Sequence, residues 1–395
     1  MTAPIAPVVL TACTATGAFG QGLDALAGML QANRSALVPN VRSDWPTPCL
    51  VGVAEGLDGP SDLLPEHDSR ATRLALQGLQ ADGFEARVAR AVSRHGAQRV
   101  GLVLGTSAAT IAVTEAAYRQ LAPDGGFPPA LRHPGLNHPH AVAQRVQQRL
   151  GLQGPVLTVS TACSSSAKAL ATAERWLRLQ LADAVVVAGV DALGGSLLHG
   201  FRSLGLLDPQ GCRPFDATRA GIAIGEAAAY ALLERQGSGV RLLGHGESLD
   251  AHHMSSPHPQ GLGAEEALDA ALARAGLPAE AVDFLSLHGT GTPANDPVEA
   301  ALVARRYRAD LHASATKGLT GHTMGAAGLL EALVCVLALQ RGLCAGSGPT
   351  AQPDPALGEA FAARWRAAPT QRAVRVAASH AFGFGGSNAV VVLGC

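Results

Sequence analysis

Val156-Leu-Thr-Val-Ser-Thr-Ala-Cys-Ser-Ser-Ser-Ala167 is the stretch of sequence that decides the fold. Its first four residues are apolar or β-branched, which is typical of a buried strand. Small residues follow, and from there small or apolar residues recur at helical spacing, at positions 167, 170, 173, 177 and 181. The stretch therefore predicts a strand that runs straight into a helix, with Cys163 at the junction.

Three other short apolar runs occur at residues 100–104, 184–188 and 282–287, and they alternate with Ala- and Leu-rich stretches. Strands that are apolar without interruption are buried on both faces, so helices must cover both sides of the sheet. A further stretch, at residues 325–339, is apolar nearly all round and predicts a buried helix. The fold class predicted is α/β.

The end of the chain contains two more predicted strands, at residues 373–379 and 388–393. Between them lies Phe382-Gly-Phe-Gly-Gly386, whose glycines permit positive φ and a close approach of the backbone to a ligand. This turn has the composition of a functional site.

A loose internal repeat links the two parts of the chain. The order of strand, Cys163 and small-residue helix is echoed by Ala313-Ser-Ala-Thr-Lys317, then His322, then a second small-residue helix. We therefore predict two similar halves that meet near residue 240. Residues 1–240 would carry the cysteine, and residues 241–395 would carry the histidines, the lysine and the glycine-rich turn.

The composition excludes several classes of protein. Hydrophobic residues make up 47% of the 395 residues and charged residues 15%, so the chain can build a large core and is not intrinsically disordered. A formal net charge of −1 lacks the basic excess of a protein held mainly by nucleic-acid phosphates. Seven scattered cysteines without a Cys-x-x-Cys pair favour a reducing cytosol. No basic leader or long uncharged apolar run is visible, which predicts a cytoplasmic protein.

Cys163 is the first candidate for chemistry. At a helix N-terminus, the helix dipole and the free N–H groups favour a thiolate, and a nearby N–H can bind an oxyanion. A cysteine considered alone is more often buried and inert. The strand-to-helix context favours the reactive interpretation.

Two histidines are placed in a similar way. His288 ends a predicted strand and opens a loop rich in Gly, Thr and Pro, and His322 follows Lys317-Gly-Leu-Thr-Gly before a helix. A lone histidine is usually structural. Two of them at strand ends, together with a similarly placed cysteine, favour a site with a nucleophile and hydrogen-bond donors.

A metal site is the alternative use of these residues. Cys163, His288 and His322 could in principle ligate zinc, and a local histidine cluster occurs at positions 252, 253 and 258. None of them has the short paired spacing of a structural zinc site. The sequence therefore predicts no metal.

Four segments in this order resemble the β-ketoacyl-acyl-carrier-protein synthases, in the elongating (Cys-His-His) branch of the thiolase superfamily. They are Thr161-Ala-Cys-Ser-Ser165, His288-Gly-Thr-Gly-Thr-Pro-Ala-Asn-Asp296, Lys317-Gly-Leu-Thr-Gly-His322 and Phe382-Gly-Phe-Gly-Gly-Ser-Asn388. Secondary matches occur at Arg213-Pro-Phe-Asp216, Gly225-Glu226, Asp250-Ala-His-His-Met254 and Glu331. The similarity covers residues 8–393.

The resemblance implies a five-layered αβαβα thiolase-like fold made of two related halves, usually in a dimer. It implies decarboxylative Claisen condensation of an enzyme-bound acyl group with malonyl-acyl carrier protein, in fatty-acid, polyene or polyketide chain elongation. The partner would be an acyl carrier protein, which carries the phosphopantetheine arm, and no other cofactor is implied.

The resemblance also implies a role for each site residue. Cys163 would be the nucleophile, and the backbone N–H groups of Cys163 and Phe384 would form the oxyanion hole. His288 and His322 would stabilise the enolate oxygen left by decarboxylation. A supporting ion pair, Lys317 and Glu331, would orient the histidines.

The substrate contacts are implied in the same way. Thr290 and Thr292 would bind the phosphopantetheine arm, and Phe384 would be a mobile gate. Phe201 and Ala108 would line the acyl pocket, which the small Ala108 would widen.

Departures from the housekeeping pattern point to secondary metabolism. Gly318 stands where the family frequently has serine, and Ala220-Gly-Ile222 replaces Asp-Gly-Phe. Thr161-Ala-Cys-Ser-Ser-Ser166 and Gly221-Ile-Ala-Ile-Gly-Glu226 are similar to synthases of aryl polyene pigments, which pair with a cysteine-less chain-length subunit. Either a homodimer or such a heterodimer fits the sequence.

Other functions on the same fold require residues that differ from those of this chain. A non-catalytic chain-length or scaffolding subunit usually lacks the cysteine that this chain has at position 163. A thiolase needs a second catalytic cysteine late in the chain, and Cys344 and Cys395 lie in no such motif. An initiating synthase uses Asn where this chain has the second His. A stand-alone acyltransferase or hydrolase would not decarboxylate a malonyl carrier.

Overall fold

The computed structural model describes residues 4–42, 44–64, 67–129, 132 and 138–395. Its strands are β1 Val8–Gly17, β2 Gly20–Gln21, β3 Val38–Pro39, β4 Leu50–Gly52, β5 Val100–Gly105, β6 Val156–Val159, β7 Ala184–Asp191, β8 Ile224–Gly225, β9 Ala227–Glu234, β10 Val240–Leu249, β11 Phe284–Ser286, β12 His312–Ser314, β13 Leu343–Cys344, β14 Thr370–Gln371, β15 Val376–Gly383 and β16 Ser387–Gly394.

The α-helices of the described residues are α1 Leu23–Ala32, α2 Arg70–Gly78, α3 Phe84–His95, α4 Ile111–Tyr118, α5 Ala141–Leu150, α6 Ser165–Arg178, α7 Gly195–Ser203, α8 Leu262–Ala275, α9 Asn295–Arg306, α10 Lys317–Thr320, α11 Ala327–Arg341 and α12 Glu359–Ala362. Two short 3-10 turns, Met324–Ala326 and Phe384–Gly386, lie next to the site described below.

The large sheet consists of two sets of five strands with the same internal order. The path through the sheet is β12-β11-β15-β16-β10-β1-β9-β7-β5-β6, with β2 paired to β1. If the five strands of each set are numbered 1 to 5 along the chain, their order across the sheet is 3-2-4-5-1 in both sets. The two sets meet where β1 pairs with β10, antiparallel and over three residue pairs. The loose repeat in the sequence therefore corresponds to a repeat of topology.

The core shows which helices cover which face. Alternate residues along β9 point to opposite sides, because successive side chains of a strand lie on opposite faces. One face of both sets packs against α6 and α11, which form a central helical layer. The outer face of the first set packs against α2, α3 and α5, and that of the second set against α8, α9 and α12. The result is five layers, αβαβα, as the resemblance implied.

Helix α11 is buried along almost its whole length. The segment Met324–Arg341 is long and apolar enough to cross a membrane, with a mean hydropathy of 1.5 over 18 residues. In the fold, however, 89% of the segment is buried. It is therefore the core helix that its all-round apolar pattern predicted.

Element boundaries differ from the sequence-based expectations by a few residues at several places, and two of these lie next to the site. The predicted strand at residues 282–287 is paired only over Phe284–Ser286. Strand β15 continues to Gly383, so the predicted turn at residues 382–386 shrinks to Phe384–Gly386. Both differences arise because pairing with a neighbouring strand, which a local pattern does not contain, decides where a strand ends.

The contact between α6 and α11 leaves no room for a side chain at Gly328. A Cβ added there would lie 2.8 Å from both the Cβ and the backbone N of Ala167. We expect Gly328→Val to lower the free energy of unfolding by about 1–3 kcal/mol through overpacking, measured by urea denaturation. Gly28→Val is the matched control, since Gly28 lies inside α1 with nothing within 4 Å of an added Cβ. Equal stability of the two variants would contradict this packing.

Candidate active site

Cys163 lies in a tight turn between β6 and α6. Ala162, just before it, has φ of 52°, a left-handed conformation that is uncommon for a residue with a side chain. Ser165 holds the turn, because its hydroxyl accepts from the N–H of Thr161 at 2.9 Å and donates to the carbonyl of Ala162 at 2.6 Å. The strained turn directs the thiol towards the second half of the chain.

His322 occupies the corresponding place in the second set of strands. It follows β12, the third strand of its set, as Cys163 follows β6. The repeat therefore brings the two residues together, and His322 Nε2 lies 3.0 Å from Cys163 Sγ.

His288 follows β11 and completes the group. Its backbone N–H donates to Glu299 at 2.7 Å, and that of Gly289 donates to the same carboxylate at 2.8 Å. Its ring stands at 85° to that of His322, with 5.6 Å between the ring centroids. Glu299, on α9, thus fixes the backbone that presents His288 to the thiol.

Both imidazoles are held in the same tautomer. The N–H of Met324 donates to His322 Nδ1 at 3.3 Å, and the ammonium of Lys317 lies 3.4 Å from His288 Nδ1. Since Nδ1 accepts in each ring, the hydrogen of a neutral ring is on Nε2. Both rings therefore present Nε2–H donors to the space beside Cys163.

The electrostatics keep both rings neutral. Burial lowers the pKa of His288 well below its usual range, and the charge of Lys317 lowers it further. Burial and then Lys317 lower the pKa of His322 in the same way. A neutral imidazole donates a hydrogen bond without carrying a fixed charge, as stabilisation of an enolate requires.

The thiol of Cys163 is neutral at rest, which corrects the expectation from the helix N-terminus. Burial raises its pKa to about 11 and outweighs the opposing effects of the Lys317 charge and the Phe384 N–H. The helix dipole acts within about one turn, but desolvation of a buried thiolate costs more. Cys163 must therefore lose its proton during the reaction.

This raised pKa predicts the pH dependence of alkylation. We expect the rate of Cys163 alkylation by iodoacetamide to increase about tenfold per pH unit from pH 7 to pH 9, because the thiolate fraction is still far from saturation. Mass spectrometry of the Cys163 peptide measures the rate apart from that of the other six cysteines. A rate that levels off near neutral pH would contradict the raised pKa.

Lys317 and Glu331 form a buried ion pair behind the histidines. The ammonium contacts the Glu331 carboxylate and donates to the carbonyl oxygen of His288 at 2.5 Å. Burial raises the pKa of Glu331 to about 7, although the Lys317 charge opposes that shift. The second carboxylate oxygen of Glu331 has no hydrogen-bond partner among the described residues.

Phe384 and its neighbours close the site from the other side. The backbone N–H of Phe384 bonds the thiol of Cys163 and lowers its pKa. A Cβ added to Gly383 would lie 3.0 Å from the carbonyl oxygen of Thr161 and 3.2 Å from the N of Cys163, so a side chain there would force these neighbours apart by a few tenths of an ångström. The ring of Phe384 lies 5.7 Å from that of Phe201, centroid to centroid.

A cavity of about 270 Å³ opens onto these residues. Its lining includes Thr290 and Thr292, whose hydroxyls lie 2.9 Å apart, and Phe201. Ala108, the other predicted pocket residue, is not part of this lining. It is buried, and its N–H donates to Asp191 at 2.9 Å.

Comparison with known proteins identifies the family. Residues 69–238 match the model of the beta-ketoacyl synthase N-terminal domain, and residues 240–348 match that of the C-terminal domain. The chain belongs to the beta-ketoacyl synthase family. The predicted membership is thereby confirmed.

Individual relatives of this synthase cover nearly its whole length. It is 33% identical to nodulation protein E of Rhizobium meliloti over 97% of this chain and 98% of that protein. It is 28% identical to 3-oxoacyl-[acyl-carrier-protein] synthase 2 of Vibrio cholerae over 80% and 79% of the two chains. A structure of a ketosynthase in complex with its chain length factor, from Xenorhabdus doucetiae, matches with a TM-score of 0.89 and 34% identity, covering 98% of both chains.

Sequence reasoning missed two buried carboxylates that hold this site together. Asp191, at the end of β7, accepts from the hydroxyl of Thr106 at 2.6 Å and from the N–H of Gly325 at 2.6 Å, in the turn after His322. Glu299 fixes the backbone at His288, as described above. Two features of the sequence could have indicated them. Asp191 is an acidic residue at the end of an apolar strand, and Glu299 comes four residues after Asn295 in the motif that begins at His288.

The thiol and the two imidazoles also have the spacing of a metal site. Their three possible ligand atoms lie within 4.8 Å of one another. However, each Nε2 carries a hydrogen as long as Nδ1 accepts, and a protonated nitrogen has no lone pair for a metal. The absence of a metal stays a prediction of the sequence.

Proposed function

We propose that this synthase condenses an acyl group held on Cys163 with malonyl-acyl carrier protein, releasing CO₂ and giving 3-oxoacyl-acyl carrier protein. The observation that carries the proposal is the convergence of one thiol and two Nε2–H donors at the end of one cavity. His322 Nε2 lies 3.0 Å from the sulfur, and both rings are held neutral.

In the first half-reaction, Cys163 Sγ attacks the thioester carbonyl of the acyl carrier. A new C–S bond forms to Cys163, the C–S bond to phosphopantetheine breaks, and the thiol hydrogen ends on the departing sulfur. The N–H groups of Cys163 and Phe384 stabilise the oxyanion that develops at the carbonyl. His322 acts as a donor here, since its Nδ1 accepts from the backbone.

In the second half-reaction, the malonyl group loses CO₂. The C–C bond to the carboxylate breaks, and its electron pair forms an enolate whose oxygen accepts from Nε2–H of His288 and His322. The enolate carbon then attacks the thioester on Cys163, a C–C bond forms, and the cysteine sulfur leaves as a thiolate, which takes a proton from water to restore the resting thiol. Lys317 holds His288 in the donor tautomer, and Glu331 balances the lysine charge.

The cavity lining supports specific substrate contacts. Thr290 and Thr292 bind the phosphopantetheine arm, and the ring of Phe384 gates the passage to the acyl group beside Phe201. Ala108 lies outside this cavity, so its part in the acyl pocket depends on a rearrangement or on a partner subunit. The two halves divide at the start of β10, near residue 240.

The partners follow from the same chemistry. An acyl carrier protein delivers both substrates, and a subunit resembling a chain length factor pairs with this chain. The support is the 34% identity to the Xenorhabdus doucetiae complex, which contains both kinds of subunit. Cys163 and its donors favour the catalytic subunit over the non-catalytic one. We further propose a cytoplasmic location, on the seven scattered cysteines, and the aryl polyene type of pathway, on the residue patterns around Cys163 and Glu226.

The test is direct elongation. The purified chain, alone and with its partner subunit, is mixed with malonyl-acyl carrier protein and with acyl carrier proteins bearing saturated, polyunsaturated or aryl-conjugated groups. Mass spectrometry of the carrier should show a 3-oxoacyl product two carbons longer, absent with Cys163→Ala. No elongation with any donor or partner would leave a structural subunit as the better account.

A further inference from the structure

A polar cluster of Ser164, Lys168 and Ser387 lies close to Cys163, and these three residues are not part of the cavity lining. Lys168 Nζ donates to Ser387 Oγ at 2.6 Å. The hydroxyl of Ser164 donates to the carbonyl oxygen of Thr161 at 2.8 Å, and its oxygen lies 3.1 Å from Ser387 Oγ. Ser387 Oγ therefore contacts the side chains of both Lys168 and Ser164.

The positions of Ser164 and Ser387 in the chain connect this cluster with the proposed oxyanion hole. Ser164 directly follows Cys163, and Ser387 directly follows the turn Phe384–Gly386. These two segments supply the two backbone N–H groups of the proposed oxyanion hole. The contact between Ser164 and Ser387 thus joins the two segments at a point just outside the site.

Lys168 supports this joint from one turn along α6. It is partly buried, and its backbone N–H donates to the carbonyl of Ser164 at 3.0 Å. Burial lowers the pKa of Lys168, while the charge of Glu247 opposes that shift. Among the described residues, Ser387 Oγ is the hydrogen-bond acceptor that the ammonium contacts. Partial removal of this ammonium from water costs free energy, and the hydrogen bond to Ser387 offsets part of that cost.

We infer that Lys168 is a positioning residue, which fixes the spacing of the Cys163 and Phe384 N–H groups through Ser387. The inference rests on the proposed function. A hole formed by two separate segments binds an oxyanion well only if their separation is held within a few tenths of an ångström. Gly383, which packs against Thr161 and Cys163, is paired with Ser387 across β15 and β16, so a shift of Ser387 alters this separation.

The test separates oxyanion geometry from thiol reactivity. Lys168→Met and Ser387→Ala should each slow acylation of Cys163 from an acyl carrier by about tenfold or more, because the thioester needs the oxyanion hole. Alkylation of Cys163 by iodoacetamide needs no such hole and should fall much less, because the Phe384 N–H has a smaller effect on the thiol pKa than burial and the Lys317 charge. The double variant should match the single ones, since both act on one contact.

Arg178→Met is the matched control. Arg178 is a cation on the same helix, half exposed and distant from Ser387, so both rates should stay at the wild-type level. Equal loss of acylation and alkylation in Lys168→Met would mean an effect on the thiol or the fold, and would overturn the inference. Normal acylation in that variant would overturn it as well. Failure of the wild-type protein to be acylated would overturn the proposed function together with this inference.

Discussion

Replacing His288 with alanine is expected to lower decarboxylation of malonyl-acyl carrier protein by about 100- to 1,000-fold, the usual cost of one lost oxyanion donor. Acylation of Cys163 should persist, because in the proposed mechanism His288 donates to the enolate oxygen and not to the thiol. The structure separates the two steps in this way, since it is His322 Nε2 that lies 3.0 Å from Cys163 Sγ.

The measurement is the release of labelled CO₂, compared with the mass of the acylated protein. His322→Ala is the contrasting variant and should impair both steps, because His322 donates to the thiol as well as to the enolate. Equal effects of the two substitutions on acylation would contradict the separate placement of the rings.

Replacing Lys317 with methionine should reduce both activity and stability. The substitution removes the donor at His288 Nδ1, so the ring is no longer held with its hydrogen on Nε2. It also leaves Glu331 buried and unpaired, with one oxygen that already has no partner among the described residues. Breaking a buried ion pair from one side costs about 3–5 kcal/mol of unfolding free energy.

The pH dependence of this loss has a definite sign. The pKa of Glu331 is already raised to about 7, and removal of the lysine charge raises it further. Below that pKa the folded protein holds a proton that the unfolded chain lacks, which relieves the buried charge. The variant should therefore lose more stability at pH 8 than at pH 6, in urea denaturation at the two values.

A double variant separates the two roles of Lys317. Lys317→Met combined with Glu331→Leu removes both charges, and it should recover most of the stability because no unpaired charge remains. It should not recover condensation, since His288 still lacks its donor. Recovery of activity in the double variant would mean that Lys317 serves only to neutralise Glu331.

Much of the fold was predictable because the local patterns were strong. The apolar run before Cys163 and the small-residue spacing after it predicted β6 and α6, and the all-round apolar stretch predicted α11. The shared order of strand, polar residue and helix predicted that Cys163 and His322 occupy equivalent places. The strand order itself was not predictable from local pattern, because pairing joins segments far apart in the chain.

The sequence predicted which residues form the site, but it did not predict how burial changes their pKa values. Cys163 was identified from a strand that runs through small residues into a helix, and His288 and His322 from glycine-rich strand ends, and the structure brings the three together. The raised pKa of Cys163 was missed because the helix terminus is visible in the sequence and complete burial is not. Asp191 was missed for the same reason, since its hydrogen bonds come from residues more than 80 positions away.

The most direct test of the central claim is the mass of the intact protein after incubation with acyl-acyl carrier proteins, alone and with a partner subunit. We predict a single acyl adduct, located on the peptide that contains Cys163 and absent from Cys163→Ala. An adduct that persists in Cys163→Ala, or no adduct from any donor with any partner, would contradict the assignment of Cys163 as the nucleophile.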